Sequence, residues 1–152
     1  MTEPAAPKKK KAAPKKKKET FAIIQRGKRK RAIARATLTA GSGRITVNRF
    51  ELSALENPYF AAVINEPLAF FTPEELAKVN VDMIVIGGGV MGQAQACRTA
   101  LARCLSEHYK DDAIKHAMLE WDRSLLVEDS RRVEPKKFKG PKARARFTKS
   151  YR

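Results

Sequence analysis

A chain of 152 residues with a formal net charge of +16 is one domain with arms. The charge is segregated: residues 1–20 carry +6, residues 21–35 +6, residues 36–130 −5 and residues 131–152 +9. A mildly acidic globule with a basic patch and two basic ends suits a protein lying on a polyanion, and an ordinary soluble enzyme gains nothing from it. No apolar run approaches the roughly 18–20 residues of a membrane span, and no signal peptide opens the chain.

Residues 1–20, with two Lys tetrads spaced by Ala and Pro, contain nothing apolar to offset ordering entropy and are expected to be a disordered arm when free. Phe21–Ile24 begins an extended stretch, and Arg26, Lys28, Arg29, Lys30 and Arg31 follow as a dense basic cluster. Five cations in six positions, with no acid to pair with, favour phosphate contact over a merely solvated face. Ala32–Ala40 alternates, with Ala32, Ala34, Ala36 and Leu38 on one side and Ile33, Arg35, Thr37 and Thr39 on the other, which is the period of a strand. Gly41-Ser42-Gly43 predicts a hairpin turn, and Arg44–Asn48 its antiparallel return. The small Ala face suits close packing beneath a helix.

Asn57-Pro58 is an N-cap with Pro at the first helical position, predicting a helix over Pro58–Ile64 that buries Tyr59, Phe60 and Val63. Thr72-Pro73-Glu74-Glu75 spells a capping box for a short helix through Lys78, and Phe70 and Phe71 read as core. Val81–Ile86 is an apolar, β-branched run that reads as a buried strand. Beyond the glycines, Ala94, Cys97, Leu101, Cys104 and Leu105 recur at helical spacing. The two cysteines fall about 10 Å apart along that helix, too far for a disulfide, and read as small core residues of a reducing, cytosolic protein. Asp111–Leu119 predicts a further helix with Ile114 and Met118 on one face, and Trp121, Leu125, Leu126 and Val127 complete the apolar inventory. Residues 131–152 hold ten cations and one acid and cannot fold alone.

Gly87, Gly89 and Gly92 match the dinucleotide-binding pattern G-x-G-x-x-G between a strand and a helix. That reading also needs a second parallel strand ending in an acid about 20 residues on. Glu107 is at that distance but lies where one helix runs into another, so no nucleotide cofactor is expected. The physics beneath the motif remains. Free N–H groups at a glycine-rich helix start attract any anion, an RNA phosphate included, while close packing of the turn explains the same glycines. His108 and His116 have no H-E-x-x-H frame and no Cys partners at ligand spacing, so neither a metal site nor catalysis is expected.

Three stretches, Gly27–Leu38, Gly87–Leu105 and above all Asp122–Arg152 with its closing KSYR, closely resemble the universal small-subunit ribosomal protein nine family. The tail is similar to the archaeal and eukaryotic type, called protein sixteen in eukaryotes. The resemblance covers about Phe21–Arg152. It implies a small α+β domain with a mixed sheet and a left-handed βαβ crossover, placed in the subunit head on ribosomal RNA beside neighbouring head proteins, in the cytoplasm. It further implies a C-terminal tail threaded through RNA, with Arg152 at the tip and Lys149, Ser150 and Tyr151 beside it, approaching the anticodon stem-loop of peptidyl-site transfer RNA. The family usually has Gly-Pro-Gly before the Arg-rich run; here Lys142 stands at the third position, which questions any bend needing glycine there.

The organisation expected is therefore a Lys-rich arm over residues 1–20, a globule over 21–130 and a basic extended tail over 131–152. Its ribosomal-RNA contacts are expected at Arg26, Lys28, Arg29, Lys30, Arg31, Arg35, the Gly87-Gly88-Gly89 turn, Arg131, Arg132, Lys136, Lys137, Lys139, Lys142, Arg144 and Arg146. Arg98 joins them from the central helix, where it and Arg103 are either RNA contacts or the helix's solvated side. Phe147 and Tyr151 are placed to stack on unpaired bases. The competing classes are a nicotinamide-dependent enzyme, a histone-like DNA compactor and a basic membrane-surface protein. The last needs Lys on an amphipathic helix, and here the Lys sit outside the helices.

Overall fold

The computed structural model describes residues 22–148; the Lys-rich arm and Lys149–Arg152 lie outside them. The elements are β1 (Ile23–Arg29), β2 (Ala32–Ala40), β3 (Ile45–Val47), β4 (Phe50–Glu51), α1 (Pro58–Asn65), α2 (Pro73–Leu76), β5 (Val79–Ile86), α3 (Val90–Tyr109) and α4 (Asp112–Trp121). The strands form one mixed sheet in the order β1-β2-β5-β3-β4, and helices pack on it, giving a single α+β domain.

The alternation of Ala32–Ala40 is a strand, but its partners differ from the expected ones. β5, not β3, lies beside β2, antiparallel from Ile33↔Ile86 to Ala40↔Val79, and β3 runs parallel to β5 on its other side. The reason is length: β5 matches eight residues of β2, whereas β3 has only three to offer. Asn80 holds the displaced glycine turn, its Oδ1 accepting from the amides of Ser42 (2.8 Å) and Arg44 (3.0 Å). The chain crosses from β3 to β5 through α1 and α2, forming the βαβ unit. The true hairpin is one strand earlier, where β1 turns into β2 at Lys30–Arg31 with Arg29 opposite Ala32.

Local signals act as their chemistry dictates. The Asn57 side chain accepts from the amides of Tyr59 and Phe60 and starts α1. The Glu75 carboxylate reaches back to Thr72 N and Oγ, both at 2.9 Å. Asp111 caps α4 at Ala113 N. Two helices run slightly past expectation, and α2 stops at Leu76 rather than Lys78.

The core is the layer between the sheet and α3. Ala32, Ala34 and Ala36 from β2 meet Ala94, Ala96, Cys97, Ala100, Leu101, Cys104 and Leu105 from α3, all fully buried. Small side chains let the helix axis sit close to the strands, and Gly27 on β1 is the extreme case. A Cβ there would lie 2.1 Å from Ala96 O and 2.7 Å from Ala100 N. The cysteines are free and buried; burial pushes the Cys97 thiol up to about 12 and that of Cys104 to about 11.

Four expected core positions turn outward. The apolar run of β5 alternates, with Val81, Met83 and Val85 inside while Ile84 and Ile86 are 64% and 65% exposed on the open face of the sheet. Tyr59 is 60% exposed and Trp121 74%. The run is apolar on both faces, and periodicity does not distinguish a doubly buried strand from one with an apolar open face.

Gly27→Ala should destabilise the fold by about 2 kcal/mol or more, since a backbone carbonyl cannot step aside as a side-chain tip can. Urea unfolding followed by far-ultraviolet dichroism measures it.

Candidate nucleic-acid interface

The basic cluster is not a loop but the β1–β2 hairpin. Alternation along β1 sends Arg26 and Lys28 to the open face and Gly27 and Arg29 toward α3. Arg35 stands directly opposite Arg26 in register, and both are exposed. Like charges facing one another across a ladder are locally unfavourable. At the tip, Lys30 takes a left-handed conformation (φ 53°) and is exposed beside Arg31. Lys28, Lys30, Arg31 and Arg35 make no ion pair with a carboxylate among the described residues, while Arg26 lies 3.8 Å from Glu128.

Three other arginines are turned into the protein. Arg29 pairs with Asp129, donates from Nε to Gln95 Oε1 at 2.8 Å, and its side chain is 19% exposed. Arg98, with a side chain 11% exposed, reaches Glu66, Asp122 (2.8 Å) and the Ser124 hydroxyl. Its guanidinium ties α3 to the start of the 3-10 turn after α1 and to the end of α4, so it is not on the helix's solvated side and acts as a structural cross-link. Arg103 donates to Leu126 O (2.8 Å), Arg26 O (2.9 Å) and Glu128 Oε1 (2.9 Å).

The glycine turn packs against the hairpin tip. Gly87 and Gly88 have φ of 72° and 67°, and a Cβ would lie 2.7 Å from Arg31 O at the first and 2.8 Å from Ala32 N at the second. Gly89 has open space around its Cβ position and begins α3 with no side-chain cap. The unbonded amides of a 20-residue helix therefore open beside Lys30 and Arg31. α3 leads directly into α4, and the strand beside β5 on the hairpin side is antiparallel. The parallel neighbour of β5 is β3, which precedes it, and among the described residues no strand follows α3 to carry the ribose-binding acid of a dinucleotide site. Among the described residues no group of His, Cys, Asp and Glu is placed to hold a metal ion, and no described helix is long and apolar enough to cross a membrane.

Beyond Leu125 the chain has no regular structure among the described residues, and residues 131–139 are all exposed. The tail is not straight. Arg144 forms a two-pronged pair with Glu134 (2.6 and 3.1 Å), and Arg146 Nη1 donates to Phe138 O at 3.2 Å. The bend uses Lys139 (φ 55°) and Gly140, which lies against Ala145 O with no room for a Cβ. Lys142 has no positive φ, so a glycine there is not required. Arg132, Lys136, Lys137, Lys139, Lys142 and Arg146 have no carboxylate partner among the described residues, and Arg131 holds Asp129 at 2.7 Å. Phe138 and Phe147 are 87% and 72% exposed. Lys149, Ser150, Tyr151 and Arg152 lie outside the described residues.

A small α+β domain whose unpaired cations gather on one hairpin and one tail is of the RNA-bound kind found in large ribonucleoprotein particles. Comparison with known proteins agrees. The family described as ribosomal protein S9/S16 matches residues 27–152, and the chain belongs to that family. The small ribosomal subunit protein uS9 of Methanothrix thermoacetophila is 50% identical over 126 residues, covering 83% of this chain and 95% of its own. That of Halobacterium salinarum is 46% identical, covering 83% and 96%. That of Methanococcus vannielii is 45% identical over 130 residues, covering 83% and 95%. The family consists of structural proteins of the small subunit of the cytoplasmic ribosome, not of enzymes.

The arginine cross-link has a measurable signature. Arg98→Ala should cost about 2 kcal/mol of stability by stranding two carboxylates, whereas Arg35→Ala should stay within about 0.5 kcal/mol. Burial alone would raise the Asp122 carboxyl, but donation from the Ser124 hydroxyl and amide and the charge of Arg98 outweigh it and hold it below its ordinary 3.8. A depressed carboxylate stabilises the fold above its unfolded value and loses that contribution as pH falls through the folded one. Urea melts of Asp122→Asn against the parent should therefore differ at neutral pH and draw together as the pH falls below the ordinary carboxylate range.

Proposed function

We propose that this chain binds small-subunit ribosomal RNA through two surfaces and reaches peptidyl-site transfer RNA with its C-terminal tip. The first surface is the hairpin, with Arg26, Lys28, Lys30, Arg31 and Arg35, joined by the open helix start at Gly87-Gly88-Gly89. The second is the tail over residues 131–152, with Arg131, Arg132, Lys136, Lys137, Lys139, Lys142, Arg144 and Arg146. The observation that carries the reading is the Arg26–Arg35 pair. Two exposed arginines stand opposite each other in the ladder, an arrangement that an external polyanion turns from a cost into a clamp.

The mechanism is electrostatic and architectural. Guanidinium forks bind phosphate oxygens in pairs, and Ala143 and Ala145, alternating with Arg144 and Arg146, keep the backbone slim enough to pass between RNA helices. The exposed rings of Phe138 and Phe147 stack on unpaired bases. Lys149, Ser150, Tyr151 and Arg152 hold transfer RNA by its backbone, without sequence preference. Arg29 and Arg98, spent on carboxylates inside the protein, take no direct part. Neighbouring head proteins supply the remaining contacts of the globule.

With about ten phosphates engaged, the logarithm of RNA affinity should fall against the logarithm of salt with a slope of roughly −7 to −9. Arg26→Ala with Arg35→Ala should reduce that slope by about 2. Deleting Lys149–Arg152 should leave subunit assembly intact and weaken peptidyl-site transfer-RNA binding in a filter assay; equal affinity with and without these four residues would overturn the tip's role.

A further inference from the structure

The segment that leads from the globule into the tail is fastened at three successive points, each by an arginine of the sheet–helix layer. Arg98 holds Asp122 and Ser124, and Thr99 Oγ1 adds a bond to Ser124 O at 3.1 Å. Arg103 holds the Leu126 carbonyl and the Glu128 carboxylate. Arg29 holds Asp129, which also accepts from Arg131 N and Nε at 2.7 and 2.8 Å. Past Asp129 every residue to Lys139 is exposed.

Between Leu126 and Thr148 the chain has three acids, Glu128, Asp129 and Glu134, and each grips an arginine. In a stretch otherwise selected for positive charge, acids at the root oppose RNA affinity, so their place there calls for another role. Their partners suggest it. Arg103 also donates to Arg26 O on β1, so the Glu128 bond locks the departing chain to the first strand and to the central helix together. The half-buried Asp129 and Arg29, 16% and 19% exposed in their side chains, form a pair shielded better than a surface one.

We propose that Glu128 and Asp129 are positioning residues, forming a clasp with Arg103 and Arg29 that sets the direction in which the tail leaves the globule. This rests on the reading that the tail tip meets transfer RNA. A segment that reaches even about 30 Å from its root has its end carried about 10 Å by a swing of about 20° there, farther than a hydrogen bond tolerates. The clasp fixes the direction before RNA is present and lowers the ordering cost of threading.

The test uses the full chain, spin-labelled at Ala113→Cys on α4 and Val133→Cys in the tail, both exposed; Cys97 and Cys104 are buried and stay unlabelled. The parent should give a narrow distance distribution, and Glu128→Gln with Asp129→Asn a broad one while far-ultraviolet dichroism shows the globule still folded. The same double variant, assembled into small subunits, should bind peptidyl-site transfer RNA about three- to fivefold more weakly. A distribution as narrow as the parent's overturns the clasp. A broadened distribution with transfer-RNA binding unaffected both by the double variant and by deletion of Lys149–Arg152 leaves the clasp standing as an anchor and overturns the tip reading instead. A broadened distribution with binding lost on deletion but not in the double variant overturns the positioning role.

Discussion

The structure depends on how closely α3 approaches β1 and β2. Gly27 leaves no room for a methyl group beneath Ala96 and Ala100, and the alanine face of β2 meets a helix face of alanine and cysteine. With large side chains in this layer the helix would ride several ångströms higher. Arg103 would then no longer span from Glu128 to the β1 backbone, nor Arg29 reach Gln95 across the layer. The tight core thus determines which arginines turn inward and which remain for a ligand.

That division is the main electrostatic feature of the chain. Arg98, Arg103 and Arg29 resemble the RNA-facing cations in sequence, yet each is held inside the protein by carboxylate, carbonyl, hydroxyl or amide oxygens. Arg26 and Arg35 resemble an ordinary surface pair, yet they stand opposite each other in register with only Glu128, 3.8 Å from Arg26, beside them. Buried ion pairs are weak evidence of stability when desolvation is counted, but these also determine geometry, because a guanidinium fork accepts partners in few directions. The acidic residues of the globule are not evenly spread counter-charges. Many of them cap helices, cross-link α3 or hold the root of the tail.

The elements were legible wherever a local rule governed them. Asn57, Thr72 and Asp111 start their helices, the Ala32–Leu38 alternation is a strand, and the glycine turn separates β5 from α3. The family was legible from three stretches whose residues recur together. Strand order was not legible, because a glycine turn after β2 reads as a hairpin until one knows that β5 is long enough to displace β3. The exposure of Ile84 and Ile86 was hidden for a related reason: an apolar run shows that a strand exists but not what covers each face. For the site, counting cations found the hairpin and the tail, whereas the inward turn of Arg98 and Arg29 depends on Glu66, Asp122 and Asp129, which lie 24 to 100 positions away. Glu128 and Asp129 carried a signal that went unread, acids placed just ahead of a strongly basic run.

The Gly27–Ala96 contact also has a consequence for timing during synthesis. β1 and β2 emerge early and can pair through their two-residue turn, but nothing covers their alanine face until α3 has been made about 70 residues later. At about 5–20 residues per second this leaves several seconds. In that interval the cationic hairpin is a bare two-stranded ribbon, marginal in water by itself, and the clasp acids are later still. The two basic surfaces therefore acquire their relative arrangement only as the chain is being completed. The nascent protein meets the cell's RNA first as a flexible polycation and only afterwards as a shaped one.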